Sequence, residues 1–81
     1  MNRSKIKEKL EKIFHEVFDD ENLSITEDMT AEDVDEWDSF NHVRLIVTVE
    51  EEFGTTFNTS DVADLRNVGE LLNLIEKKKA A

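Results

Sequence analysis

At 81 residues the chain has room for one small domain and a single core of roughly three or four packed elements, which excludes a deep two-walled enzyme cleft. It carries 10 Lys+Arg against 20 Asp+Glu, a formal net charge of −10. That balance disfavours nucleic acid and anionic lipid surfaces as partners and favours proteins with basic patches, although acidity by itself is better explained by solubility. The absence of cysteine excludes disulfides, thiolate metal sites and a cysteine nucleophile, so any thiol chemistry has to be imported on a prosthetic group.

The amino end, Met1-Asn2-Arg3-Ser4-Lys5, leads into a charged helical pattern and not into an apolar leader. From there Ile6, Leu10, Ile13, Phe14, Val17 and Phe18 recur at steps of three and four, the stripe of a first amphipathic helix. Its other face is solvated, and Glu8 and Lys12 stand four apart in the favourable order.

Asp19 to Asp38 reads as a long structured loop, pinned by Leu23, Ile25, Met29 and Val34, with one short helical turn at Thr30-Ala31-Glu32-Asp33. Loops of this length in a small domain tend to be functional.

A second helix is predicted from about Ser39 to Phe53, with Asp38 as its N-cap and Gly54 as the terminating glycine. Phe40, Val43, Ile46, Val47 and Phe53 are expected on its inward face, with Leu45 and Val49 widening it. The β-branched run around Thr48 has modest helix propensity, so tertiary packing has to hold this helix and it should be central. Its apolar run Leu45-Ile46-Val47 is far too short to span a bilayer, and stable membrane insertion is not expected.

Thr55-Thr56-Phe57-Asn58 is a connector in which Phe57 plugs the core. Thr59 or Ser60 is expected to cap a short helix through Ala63, with Val62 and Leu65 turned inward. A last helix starts at Asn67, where Asn67 and Glu70 have capping-box spacing, and carries the stripe Val68, Leu71, Leu72 and Ile75. Lys77, Lys78 and Lys79 complement the negative end of its dipole. The expectation is an all-α fold: a small bundle of three main helices plus one short helix, with a long loop between the first and second, all within a single domain over residues 1–81. The chain is expected to be cytoplasmic and monomeric.

Chemistry concentrates at Asp35-Glu36-Trp37-Asp38-Ser39-Phe40. Ser39 falls where a polar loop gives way to a helix, so its hydroxyl is either an ordinary helix-start group or an exposed handle for modification. A phosphodiester there would meet the dipole and free amides of a helix N-terminus. His42 and Asp38 near Ser39 do not make a hydrolase, because one exposed helical turn supplies neither a third orienting group nor an oxyanion hole. His42 reads as a surface residue and His15 as a boundary residue of the first helix. The run beginning at Asp19 lacks the glycine and the closing glutamate of a calcium loop, and Glu50-Glu51-Glu52 is a solvated acidic face, so no metal site is expected. Trp37, the single tryptophan, is a packing residue that also stands where it can wall the approach to Ser39.

Asp38-Ser39-Phe40 resembles the Asp-Ser-Leu motif of the acyl carrier protein family, within the wider group of phosphopantetheine carriers. Val43, Leu45, Ile46, Val49 and Glu50-Glu51-Glu52-Phe53 are similar to that family's second helix, and Phe57, Ser60-Asp61 and Val68 to its later elements. The resemblance covers nearly the whole chain. It implies that Ser39 carries a 4′-phosphopantetheine arm donated by coenzyme A through a phosphopantetheinyl transferase, with Asp38 as motif and cap residue. It also implies a carrier and not an enzyme, one that takes a tethered acyl chain between acyl-activating and acyl-transfer enzymes at high effective concentration. Trp37, Phe40, Asn41, Val43, Arg44, Glu50 and Glu51 form the partner surface this implies. Departures from the family pattern are Phe40 for leucine, Trp37 in a normally glycine-rich approach, and Asn41 and Arg44 where fatty-acid-type carriers show acids. A cation on that rim should penalise docking to a basic enzyme, so a specialised, non-housekeeping carrier is expected. An aminoacyl or peptidyl carrier, and a noncatalytic helical interaction module, are the alternatives.

Overall fold

The computed structural model describes residues 2–34, 36–63 and 65–80; Asp35, within the segment singled out above, lies outside them. The elements are α1 (Arg3–Val17), a single 3-10 turn (Ala31–Asp33), α2 (Ser39–Phe53), α3 (Thr59–Ala63) and α4 (Val68–Ala80). This is the expected all-α bundle of three main helices and one short one, with the long crossover between α1 and α2 and no strand among the described residues.

α1 packs against both α2 and α4. It starts where the Asn2 side chain accepts the Lys5 amide at 2.9 Å. It ends where Asp19 takes a left-handed φ of 51° and the Asp20 amide reaches back to the His15 carbonyl at 3.0 Å, a Schellman closure made without glycine. Ile6, Leu10, Ile13, Phe14 and Val17 are all buried, as their spacing predicts. From α4, Val68, Leu71, Leu72 and Ile75 meet them.

α2 contributes Leu45, Ile46, Val49 and Phe53. Here the inward face differs from the sequence expectation. Phe40, Val43 and Val47 are 72%, 61% and 45% exposed, while Leu45 and Val49, expected at the margin, are fully buried. The reason is that apolar residues run nearly all round this helix, so periodicity does not choose a face. The stripe at positions 45, 49 and 53 is the one set against the core.

Two lysines hold the far end of α2. Lys9 of α1 donates to the Glu52 carbonyl at 2.6 Å and stands 4.9 Å from the centre of the Phe53 ring. Lys79 of α4 donates to the Phe53 carbonyl at 2.9 Å. Lys79, in the last turn of α4, thus also serves the C-terminus of α2, and Lys78 pairs with Asp61 at 3.3 Å. α3 is capped by Asn58, whose side-chain oxygen accepts the Asp61 amide at 2.8 Å, and not by Thr59 or Ser60. Phe57, Val62 and Leu65 are half-buried against the core.

The crossover is tied down along its length. Ile25 and Val34 are buried, and Leu23 and Met29 pack against the core as partial anchors. The Ile25 amide donates to Glu11 at 3.1 Å, and His15 Nε2 donates to the Leu23 carbonyl at 2.6 Å. Thr30 and Asp33 form a reciprocal capping box around the 3-10 turn. The first amides of α4 then bond into this loop: Val68 N–H to the Met29 carbonyl at 2.9 Å and Gly69 N–H to the Glu27 carbonyl at 2.7 Å. Asn67 caps α4 through the Glu70 amide, while the Glu70 carboxylate reaches the Arg66 amide. Arg3 closes the same junction, donating to Glu27 at 2.6 Å, to Asn73 at 2.8 Å and to Glu76.

Gly69 is required by that approach, because a Cβ there would lie 2.9 Å from the Glu27 carbonyl oxygen. Gly69→Ala is expected to destabilise the protein by about 1–2 kcal/mol in urea unfolding, since overpacking costs roughly 1–3 kcal/mol and the gain in helix propensity recovers up to about 1 kcal/mol. The Glu27 carboxyl is held below its ordinary value of 4.5 chiefly by hydrogen bonds from Arg3. A carboxylate depressed by folding adds stability above its ordinary pKa and loses it as pH falls toward the folded value. Arg3→Met should therefore lower the unfolding midpoint at neutral pH, by an amount that added salt reduces. The difference from wild type should shrink below pH 4.5, as followed by circular dichroism.

Candidate functional site

Ser39 is the first residue of α2 and is exposed. Asp38 precedes it as the N-cap, in extended conformation, with its carboxylate accepting the Asn41 amide at 2.9 Å and its carbonyl accepting the His42 amide at 2.8 Å. The serine hydroxyl thus stands at the positive end of a 15-residue helix whose first turn is already organised by its neighbour.

Behind Ser39 lies an aromatic group that sequence reading did not assemble. Trp37 is half-buried, with ring centres 5.4 Å from Phe14, edge-on at 89°, and 6.1 Å from Phe18. Its Nε1–H donates to His42 Nδ1 at 2.9 Å, and the two rings lie 18° from parallel. His42 is accordingly not the free surface residue expected from its position in the helix. It is half-buried and hydrogen-bonded, and burial pushes its pKa below the ordinary histidine value. The signal available in the sequence was the five-residue spacing of one indole and one imidazole around a helix start, which by itself fixes no contact.

His42 divides two shallow hollows. One, of about 590 Å³, is bordered by Trp37, Asp38, Ser39, Val62 and Leu65. The other, of about 330 Å³, is a mostly apolar groove between α2 and α3 lined by Val43, Ile46, Val47, Phe57 and Val62.

The expected rim residues separate into two groups. Phe40, Val43 and Arg44 are exposed on α2, and Glu51 is exposed near its end. Asn41 is engaged instead, donating to the Glu36 carbonyl at 2.7 Å and accepting from Arg44 at 3.3 Å. Glu50 is half-buried and accepts the Phe57 amide at 2.8 Å, so it fixes the connector to α3. From Ser39 to Val49 no residue is acidic and Arg44 is the single cation, whereas every charged residue from Asp19 to Asp38 is acidic. Among the described residues no group of three or more His, Asp or Glu is placed to hold a metal ion, and no helix is long and apolar enough to cross a membrane.

Residues 8–75 match the protein-family model described as "Phosphopantetheine attachment site". The chain belongs to this family. Its prosthetic group is a covalently attached 4′-phosphopantetheine, and the family is one of carrier domains and not of catalysts. Among solved structures, the chain is similar to the solution NMR structure of a holo acyl carrier protein from Geobacter metallireducens, with 39% identity, a TM-score of 0.88, and coverage of 93% of this chain and 86% of that one. A putative acyl carrier protein from Mycobacterium tuberculosis matches in fold, with 19% identity, a TM-score of 0.80, and coverage of 89% of this chain and 96% of the other. No curated protein matches the chain. The acyl-carrier resemblance and the all-helical fold expected from sequence are thus both found.

Proposed function

We propose that Ser39 bears the phosphopantetheine arm and that residues 1–81 form one acyl-carrier domain serving a dedicated acyl-transfer pathway. The observation that carries this reading is the exposed hydroxyl at the first residue of α2, immediately after a capping aspartate. A phosphodiester formed there is favoured by the helix dipole and the first-turn amides, and it lies in reach of a transferase that draws on coenzyme A. When bound, the arm supplies the thiol on which an acyl group is held as a thioester, a group this cysteine-free chain does not contain. The apolar groove between α2 and α3 offers the first few carbons of an acyl chain a surface out of water. That groove and the likeness to an acyl carrier support acyl over aminoacyl cargo. We place the carrier in the cytoplasm, as a monomer.

The rim of α2 supports a partner of particular chemistry. Phe40, Val43 and Val47 leave an apolar stripe exposed beside Arg44, without an acid between Ser39 and Val49. Such a face fits an acyl-handling enzyme that offers an apolar notch flanked by a carboxylate. The acidic crossover still steers the encounter with basic ground further out.

Intact mass after incubation with coenzyme A and a broad-specificity transferase tests the attachment. Wild type is expected to gain one phosphopantetheine and Ser39→Ala none, with stability unchanged within about 0.5 kcal/mol. An addition that survives the substitution sinks the assignment. For the partner surface, holo Arg44→Glu should be turned over faster than wild-type holo protein by fatty-acid elongation enzymes with basic docking faces. Wild-type turnover equal to that of a housekeeping carrier would refute a dedicated role.

A further inference from the structure

We propose that the hydrogen bond between Trp37 and His42 is a positioning lock for Ser39, holding the start of α2 so that its hydroxyl is presented for modification. The inference rests on Ser39 being the attachment residue. The two partners bracket that serine: Trp37 lies in the incoming loop and His42 one turn into the helix. Asp38 organises the turn locally, through the amides of Asn41 and His42. The indole extends the hold beyond the turn, because its ring is wedged against Phe14 and Phe18 of α1. Asn41 also ties the turn to the loop, at the Glu36 carbonyl, and the Trp37–His42 contact joins loop and helix start to the core beside the reactive position.

That contact has a defined protonation state. Since Trp37 Nε1 can only donate, His42 Nδ1 accepts, and the imidazole is neutral with its proton on Nε2. A second ring proton would set donor against donor and break the lock. The surroundings disfavour that proton. α1 presents Phe14 and Phe18 through the indole, and α3 borders the site with Val62 and Ala63. The carboxylates lining the adjoining hollows are Asp38 and Glu50 of the same helix, and each is turned to a backbone amide, Asn41 and Phe57 respectively. Burial accordingly lowers the His42 pKa. A phenylalanine at position 37 would fill much of the same space without the N–H, so packing alone does not account for the indole.

The test has two readouts. In the apo protein, the indole N–H resonance of the single tryptophan is followed against pH by ¹⁵N–¹H NMR. One transition below pH 6.5 is expected in wild type. None is expected in His42→Gln, whose side-chain oxygen can accept the same bond without titrating. A wild-type indole that does not respond down to acid unfolding overturns the lock.

The second readout is the rate of phosphopantetheine addition from coenzyme A, by intact mass. At neutral pH, Trp37→Phe and His42→Leu should each slow addition about tenfold, and the double variant no further, because both break one positioning contact. His42→Gln should stay within about twofold of wild type. As pH falls through the indole transition, the wild-type rate should drop relative to His42→Gln, which a space-filling role would not produce. Urea unfolding shows whether the leucine variant still folds, and the glutamine comparison decides the matter if it does not. Wild-type rates in Trp37→Phe and folded His42→Leu overturn the lock alone. A wild type that accepts no phosphopantetheine overturns the attachment reading beneath it.

Discussion

The arrangement depends on α2 being gripped by one narrow face and by both of its ends. Leu45, Val49 and Phe53 bury against the core formed with α1 and α4, and that burial holds in place a helix whose own residues favour helix only weakly. Aspartate caps one end, and two lysines from different helices meet the carbonyls at the other. Because so little of the circumference is used inside, the rest remains outside. Phe40, Val43, Arg44 and Val47 are left on the surface with Ser39 at their head. A functional rim and a stable helix are obtained from the same 15 residues.

The charge pattern follows the same division. The crossover before α2 is uniformly acidic, and the first three turns of α2 carry no acid at all. Long-range attraction and short-range fit are therefore assigned to different segments. The field of the loop acts at distances set by screening, while apolar contact and one guanidinium act only on docking. A carrier built this way can be drawn toward basic proteins in general and still discriminate among them on contact.

Much of this was legible in the chain. The stripes of α1 and α4 bury the residues their spacing names, because each has a polar face to contrast with its apolar one. The serine at a loop–helix boundary, the anchors in the crossover and the glycine after Phe53 each follow from local chemistry. What sequence did not disclose is long-range or rotational. On α2, apolar residues on all sides hide which stripe turns inward, so periodicity alone places Phe40 and Val47 in the core and Leu45 at its margin. Arg3 gave no signal because Glu27 and Glu76 are far from it in sequence. His42 looked solvent-facing because its partner is a loop side chain, and helical position says nothing about that. The backbone partners of Glu50 and Asn41 have no sequence signature either.

The hydrogen bonds from Val68 and Gly69 into the loop at Met29 and Glu27 bear on how the chain acquires its shape. Asn67 satisfies the Glu70 amide locally, but the first two amides of α4 borrow carbonyls from about forty positions upstream, a closure that costs on the order of 3 kcal/mol of chain entropy. Neither segment is complete without the other. The crossover and the last helix should therefore consolidate as one late, cooperative event, and a nascent chain stopped before α4 would hold its long loop only by its apolar anchors, its bonds to α1 and its own capped turn.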